Sequence, residues 1–188
     1  RRQRQMCIRD RYQAGIYSSA SIIGKIGYFL PTVLLRAFFP EVINNEKLGK
    51  SSIPLLAFML GVTLLICASY VLVVFFFKEA LITLLFGEKY LLAGEYLTRI
   101  TIFMSIVGVI TVLFNFFLAK EIYFYLYTST IVMFIGCLTF VFHEMNSPND
   151  ILNKLLYTST ALLVTTILHT FYYYREHLYK WFYKARYS

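Results

Sequence analysis

Long apolar runs that contain no Lys, Arg, Asp or Glu make up most of this chain. They cover residues 53–77, 100–119, 122–142 and 155–174, and short clusters of charged or turn-forming residues separate them. A helix rises about 1.5 Å per residue, so about 20 apolar residues cross a hydrocarbon core of about 30 Å. The pattern predicts four transmembrane helices, with 100–119 and 122–142 forming a tight hairpin.

A fifth segment, residues 14–39, is less apolar and contains several Gly and Ser residues. Its Ala20 and Gly24 form a small-xxx-small pair, which lets neighbouring helix backbones approach closely in lipid. Pro31 predicts a kink. Lys25 lies near the middle and predicts a helix that faces other protein or a water-filled cavity instead of lipid. The predicted fold class is therefore all-α, a polytopic membrane helix bundle of about five transmembrane helices.

The connections between these segments predict an orientation. Eight Lys and Arg residues fall in the connections on one side and four on the other. Because short cytoplasmic loops carry an excess of Lys and Arg, the side with eight, which includes the tail 175–188, should be cytoplasmic. The connection 78–99 then lies outside. It is too apolar for a hydrophilic loop, which predicts a short helix along the membrane interface.

Composition supports a membrane protein. The chain is 59% hydrophobic with a mean hydropathy of +0.62, and 15% of its residues are charged, against about 25% in soluble domains. Five arginines in the first 11 residues contribute much of the net charge of +8.

The N-terminal arginines need a separate interpretation. The stretch MCIRDR, residues 6–11, resembles a translated sequencing adapter, so we expect residues 1–12 to be non-native; a native basic segment that binds anionic lipid is the alternative. Without residues 1–12 the chain has 13 basic and 9 acidic residues, and no nucleic-acid partner is indicated.

Three local patterns in residues 13–174, the expected transmembrane bundle, resemble the C-terminal half of a polysaccharide flippase of the multidrug/oligosaccharidyl-lipid/polysaccharide exporter superfamily. They are AGIYSSASIIGKIGYFLPTVLLRAFFPEV, LITLLFGEKYLLAGEYL and NFFLAKEIYFY. The resemblance implies a larger transporter of 12 helices in two lobes, of which this chain supplies helices eight to twelve. The N-terminal lobe of the same protein would then be its partner.

The same resemblance implies a function. Such a transporter flips undecaprenyl-pyrophosphate-linked oligosaccharides across the bacterial inner membrane for the synthesis of O-antigen, lipopolysaccharide or exopolysaccharide. Membrane lipid is the other expected partner, and the C-terminus is expected in the cytoplasm. Alternating access by repeated helix bundles around a midplane site is compatible with this function.

Lys25, Arg36 and Arg99 are the candidate substrate-binding residues. An ammonium near the bilayer centre costs at least about 2.5–3.5 kcal/mol and persists where it has a partner or a hydrated cavity, so Lys25 is expected to meet the substrate pyrophosphate. The alternative is that Lys25 snorkels to the interface or pairs with a carboxylate of the first lobe. Arg36, three turns further on, is expected to anchor lipid headgroups. Arg99 is expected to snorkel or to line an external vestibule.

Catalytic and metal motifs are absent from the sequence. The histidines at 143, 169 and 177 lack HxxxH or HExxH spacing, and the cysteines lack ligand spacing, so no metal, cofactor or catalytic residue is predicted. Asn115 is expected to bridge helices. The alternative functions are a multidrug or cation antiporter of the same superfamily and a membrane-embedded polysaccharide polymerase or glycosyltransferase. A purely structural membrane subunit is a further alternative, but it explains Lys25 poorly.

Overall fold

The computed structural model describes residues 2–48, 52–121, 123–142 and 148–186, which form five α-helices and one 3₁₀ helix. The α-helices are α1 (Arg2–Lys47), α2 (Ile53–Phe86), α3 (Gly94–Ala119), α4 (Tyr123–Phe142) and α5 (Pro148–Arg186), and the 3₁₀ helix is Glu88–Ala93. The described ranges contain no strand. The all-α prediction is confirmed.

Four of these helices are long and apolar enough to cross a membrane. The qualifying stretches are Tyr12–Asn45, Pro54–Phe86, Glu88–Ala119 and Asn149–Tyr172, while α4 adds a shorter apolar stretch, Tyr127–Thr139. Large apolar side chains cover the outer surface: Leu65 is 70% exposed and Phe76 is 71% exposed. A soluble domain rarely displays such a continuous apolar surface, so the bundle is suited to lipid on its outside.

The helices extend beyond the predicted spans. α1 continues to Lys47, and α5 begins at Pro148 and ends at Arg186. α2 passes through the charged pair Lys78 and Glu79 with non-helical dihedrals at Phe77 (φ −113°, ψ 19°), which marks a kink. The first part of the 78–99 connection therefore continues α2 instead of forming a separate short helix, and the 3₁₀ helix Glu88–Ala93 follows it; its position along the membrane interface stays a prediction. Residues 143–147, in the expected polar loop, and the side chains of residues 1–11 lie outside the description.

α3 is the central helix of the bundle. It packs against α1, α2, α5 and, less extensively, α4, while α4 packs mainly on α5. One apolar cluster joins α1, α2 and α3 near the 3₁₀ helix and includes Ile16, Ala20 and Ile82; a second joins the other ends of these helices to α4 and includes Leu35, Phe117 and Tyr125.

Small residues set the distance between α1 and α3. A Cβ atom added to Gly24 would lie 2.5 Å from Ile100 Cγ2, and one added to Gly27 would lie 2.8 Å from Ser105 Oγ. On the opposite helix, a Cβ at Gly108 would lie 2.8 Å from Pro31 Cγ. The close approach predicted from Ala20 and Gly24 is confirmed, and it extends over two further turns.

Pro31 lies inside α1, and the helical assignment continues through it to Lys47. Because proline has no backbone N–H, it leaves the Gly27 carbonyl without its usual helical donor. The Cys67 thiol of α2 donates to this carbonyl, with 3.9 Å between Sγ and O. One turn away, Tyr70 Oη donates to the Ile23 carbonyl at 2.6 Å. α2 thus binds directly to the α1 backbone where the small residues expose it.

Candidate functional site

Lys25 and Arg36 lie on the outward face of α1. Both side chains are exposed, whereas Gly24 and Gly27 face the packed side of the same helix. Eleven residues correspond to about three helical turns, so the two cations share a face with about 16 Å of rise between them. Within the part of the chain that the structure describes, no carboxylate forms an ion pair with Lys25.

Apolar side chains surround Lys25 on this face, which we call the outer face of α1. Ile22, Phe29 and Val33 point outward with it, and Val33 is 65% exposed. The outer face is therefore amphipathic along its length, with two cations separated by large apolar groups. Gly24 and Gly27 pack inward, whereas Lys25 and Arg36 lie on a surface that the described residues do not cover.

Arg99 occupies a different side of the bundle. Its Nη1 donates to Asn149 Oδ1 at 3.0 Å, which connects the start of α3 to the start of α5. The next residue, Ile100, faces α1 instead. The structure therefore places Lys25 and Arg36 on one helix face and turns Arg99 towards α5, so the three predicted residues do not converge on one point.

Asn115 does not bridge helices through its amide nitrogen. Nδ2 donates to the Thr111 carbonyl of the same helix at 2.8 Å, so the expected interhelical donor is used within α3. His169 packs in an aromatic cluster, with its ring centroid 5.4 Å from that of Phe117 and 5.4 Å from that of Tyr125. Among the described side chains, no group of three or more His, Cys, Asp or Glu could hold a metal ion.

A wide apolar groove of about 890 Å³ lies between α2, α3 and α5. Leu64, Val71, Ile106 and Ile167 contribute to its walls, and Cys67 and Ser105 also line it. This groove could not be predicted from the sequence, because its apolar residues look the same there as those that pack or face lipid. Its largely apolar walls are chemically compatible with the hydrocarbon chains of lipid.

The geometry defines a class of protein, an all-α, multi-pass membrane protein with one amphipathic, cationic helix face. No protein-family model matches the chain, and comparisons with curated proteins and with solved structures find no match.

Proposed function

We propose that this chain is part of a transporter that flips lipid-linked oligosaccharide precursors across the bacterial cytoplasmic membrane for cell-surface polysaccharide synthesis. The observation that carries the proposal is the exposed position of Lys25 on the outer face of α1, within the apolar stretch Tyr12–Asn45. An ammonium at this depth needs a hydrated cavity or a partner. A transporter would supply the hydrated cavity, and an anionic substrate would supply the partner.

The chemistry of the substrate suits this face. The pyrophosphate of a polyprenyl carrier is strongly anionic, and Lys presents a compact, strongly hydrated charge that binds phosphate without fixed geometry. A substrate that moves across the membrane is better served by such a point charge than by a rigid bidentate site, which would hold the pyrophosphate in one geometry. Arg36, about 16 Å further along the same face, adds a second cation towards the proposed cytoplasmic end of α1.

The outer face also suits the proposed partner. An N-terminal lobe of the same transporter would enclose Lys25 in a central cavity and shield it from hydrocarbon. Ile22, Phe29 and Val33 would provide apolar contacts at the rim of that cavity. The proposed setting is the inner membrane, with the C-terminus in the cytoplasm.

Flipping in proteoliposomes tests the proposal. The complete transporter is reconstituted with a fluorescent polyprenyl-pyrophosphate-linked oligosaccharide, and its inward-to-outward transfer is followed by quenching of the exposed label. We expect Lys25→Ala to lower the initial rate by at least about tenfold, since it removes the charge that offsets desolvation of the pyrophosphate. Lys25→Arg should retain much of the rate.

Lys89→Ala is the matched control, because Lys89 is an exposed lysine of the 3₁₀ helix outside the outer face of α1. It should transfer the substrate at the unmodified rate, and all variants should insert to the same level. Equal rates for Lys25→Ala and Lys89→Ala would overturn the role of Lys25. Proton-driven efflux of cationic dyes without transfer of the oligosaccharide would instead identify an antiporter.

A further inference from the structure

A smaller cavity, of about 340 Å³, lies where the early turns of α1 meet the 3₁₀ helix and the start of α3. Unlike the groove between α2, α3 and α5, it combines aromatic, apolar and polar walls. It lies at the ends of the apolar stretches Tyr12–Asn45 and Glu88–Ala119, which places it near the membrane surface. Its lining residues are Tyr12, Gln13, Ile16, Tyr17, Leu92, Glu95 and Tyr96.

Two tyrosines, Tyr17 and Tyr96, supply aromatic walls, and a third, Tyr12, is the last residue of the segment 1–12 that is expected to be non-native. The rings of Tyr17 and Tyr96 have centroids 6.5 Å apart and planes at 61°, so the two rings contact each other edge to face. Tyr12 also lines the cavity, and its Oη donates to the Lys89 carbonyl at 2.7 Å, which joins α1 to the 3₁₀ helix. Ile16, another lining residue, is buried.

The polar wall carries a negative charge. Glu95 lines the cavity one turn before Arg99, but the Arg99 guanidinium donates to Asn149 of α5. Glu95 forms no ion pair with any side chain that the structure describes. The rings of Tyr17 and Tyr96 and the Glu95 carboxylate therefore border one small space.

We propose that this cavity binds an organic ammonium group, of which the trimethylammonium of choline is the simplest probe. The ring quadrupole attracts a cation that lies within about 6 Å of the ring centroid, and groups of aromatic rings recognise quaternary ammonium ions in this way. The Glu95 carboxylate adds direct charge attraction. The anionic part of a polyprenyl pyrophosphate does not suit this cavity, so the proposal goes beyond the proposed transport function and does not depend on it.

Binding of choline to the purified protein in nanodiscs of phosphatidylglycerol tests the proposal, with isothermal titration calorimetry as the measurement. We expect saturable binding of choline and at least about tenfold weaker binding of its neutral tert-butyl analogue, which has the same shape without the charge. Equal affinity for the two compounds would overturn the proposal. Preferential binding of a methyl glycoside would also overturn it and would indicate a sugar site.

Two pairs of variants locate the site. Glu95→Gln and Tyr17→Leu should each weaken choline binding by at least about fivefold, because one removes the charge and the other removes a ring face. Glu88→Gln and Tyr28→Leu are the matched controls, since neither residue lines the cavity, and they should bind as the unmodified protein does. Choline binding that survives both Glu95→Gln and Tyr17→Leu would show that the ion binds elsewhere. Retained far-ultraviolet circular dichroism confirms that the variants are folded.

The ammonium group has two natural sources, a lipid headgroup and a free solute. Nanodiscs of phosphatidylcholine distinguish them, because a headgroup that occupies the cavity competes with added choline. Loss of the calorimetric signal in phosphatidylcholine, but not in phosphatidylglycerol, would assign the site to lipid. An unchanged signal in both would assign it to a soluble ammonium compound.

Discussion

Gly24 lies where the backbone of α1 packs directly against Ile100 of α3, and this contact leaves no space for a side chain. A Cβ at position 24 would lie 2.5 Å from Ile100 Cγ2 and 3.4 Å from the Ile100 backbone carbon. We expect Gly24→Ala to lower the free energy of unfolding by about 1–3 kcal/mol, because the helices must separate to admit the methyl group. Unfolding by SDS in mixed micelles, followed by circular dichroism, measures the change.

Gly61→Ala is the control for this substitution. Gly61 is a helical glycine of α2, and a Cβ there would meet nothing within 4 Å. Its replacement should leave stability unchanged or raise it by up to about 1 kcal/mol, since Ala favours the helix more than Gly does. If Gly24→Ala behaved like Gly61→Ala, the close packing of α1 on α3 would be refuted.

The sequence predicted some of these residue contacts and not others. The spacing of Ala20 and Gly24 lies within one helix and was sufficient to predict close packing. The matching of Pro31 to Gly108 joins different helices and leaves no pattern in a single sequence. The same is true of the bond between Arg99 and Asn149, which are 50 positions apart.

At the scale of elements, the end of α2 is held to the bundle by one fully buried side chain. Ile82 follows the kink at Phe77, is 0% exposed and packs in the cluster with α1 and α3. We expect Ile82→Ala to destabilise the protein by about 2–5 kcal/mol, because it leaves a cavity between three helices. The SDS unfolding assay also reports this change.

Leu84 is the control in the same helical segment. Its side chain is 81% exposed, so Leu84→Ala removes little packing and should alter the free energy of unfolding by less than about 0.5 kcal/mol. Similar losses for the two variants would contradict a segment anchored through Ile82.

The existence of the helices was predictable, but their ends were not. Uncharged runs show where a chain can cross hydrocarbon, so the apolar centres of α2 and α3 were evident. Charged residues mark the edge of the hydrocarbon rather than the end of the helix, and α2 passes Lys78 and Glu79 before Gly87 ends it. Gly87 has φ +86°, a conformation that residues with a Cβ rarely adopt, and its N–H donates to the Thr83 carbonyl.

At the scale of the whole molecule, orientation in the membrane is the prediction to test. The bias of eight basic residues to four predicts that the C-terminus lies in the cytoplasm. Alkaline phosphatase needs disulfides and is active in the periplasm, so its fusion after Ser188 should be inactive, whereas green fluorescent protein at the same site should fluoresce.

A phosphatase insertion after Gly87 is the control for the other side of the membrane. It should be active, because the connection 78–99 is expected to lie outside the cytoplasm. Phosphatase activity at Ser188 together with inactivity at Gly87 would reverse the orientation. It would also place Arg36 nearer the external surface.

The central place of α3 could not be predicted from the sequence. In lipid, apolar residues occupy both the packed and the outward faces of a helix, so Met59 is buried and Leu65 is exposed although both lie in the same apolar run. Hydrophobic periodicity therefore does not distinguish the two faces. Lys25 was conspicuous in the sequence because a charge is rare within an apolar run, but its exposed position on α1 is a finding of the structure.

The glycine contacts between α1 and α3 have a mechanical consequence. At these contacts no flexible side chains separate the two helix backbones. We therefore expect α1 and α3 to move together as one rigid unit. In a conformational cycle, Lys25 would then move together with α3 as well as with α1. We expect movement at less extensive contacts instead, such as the kink at Phe77 and the contact of α4 with α3.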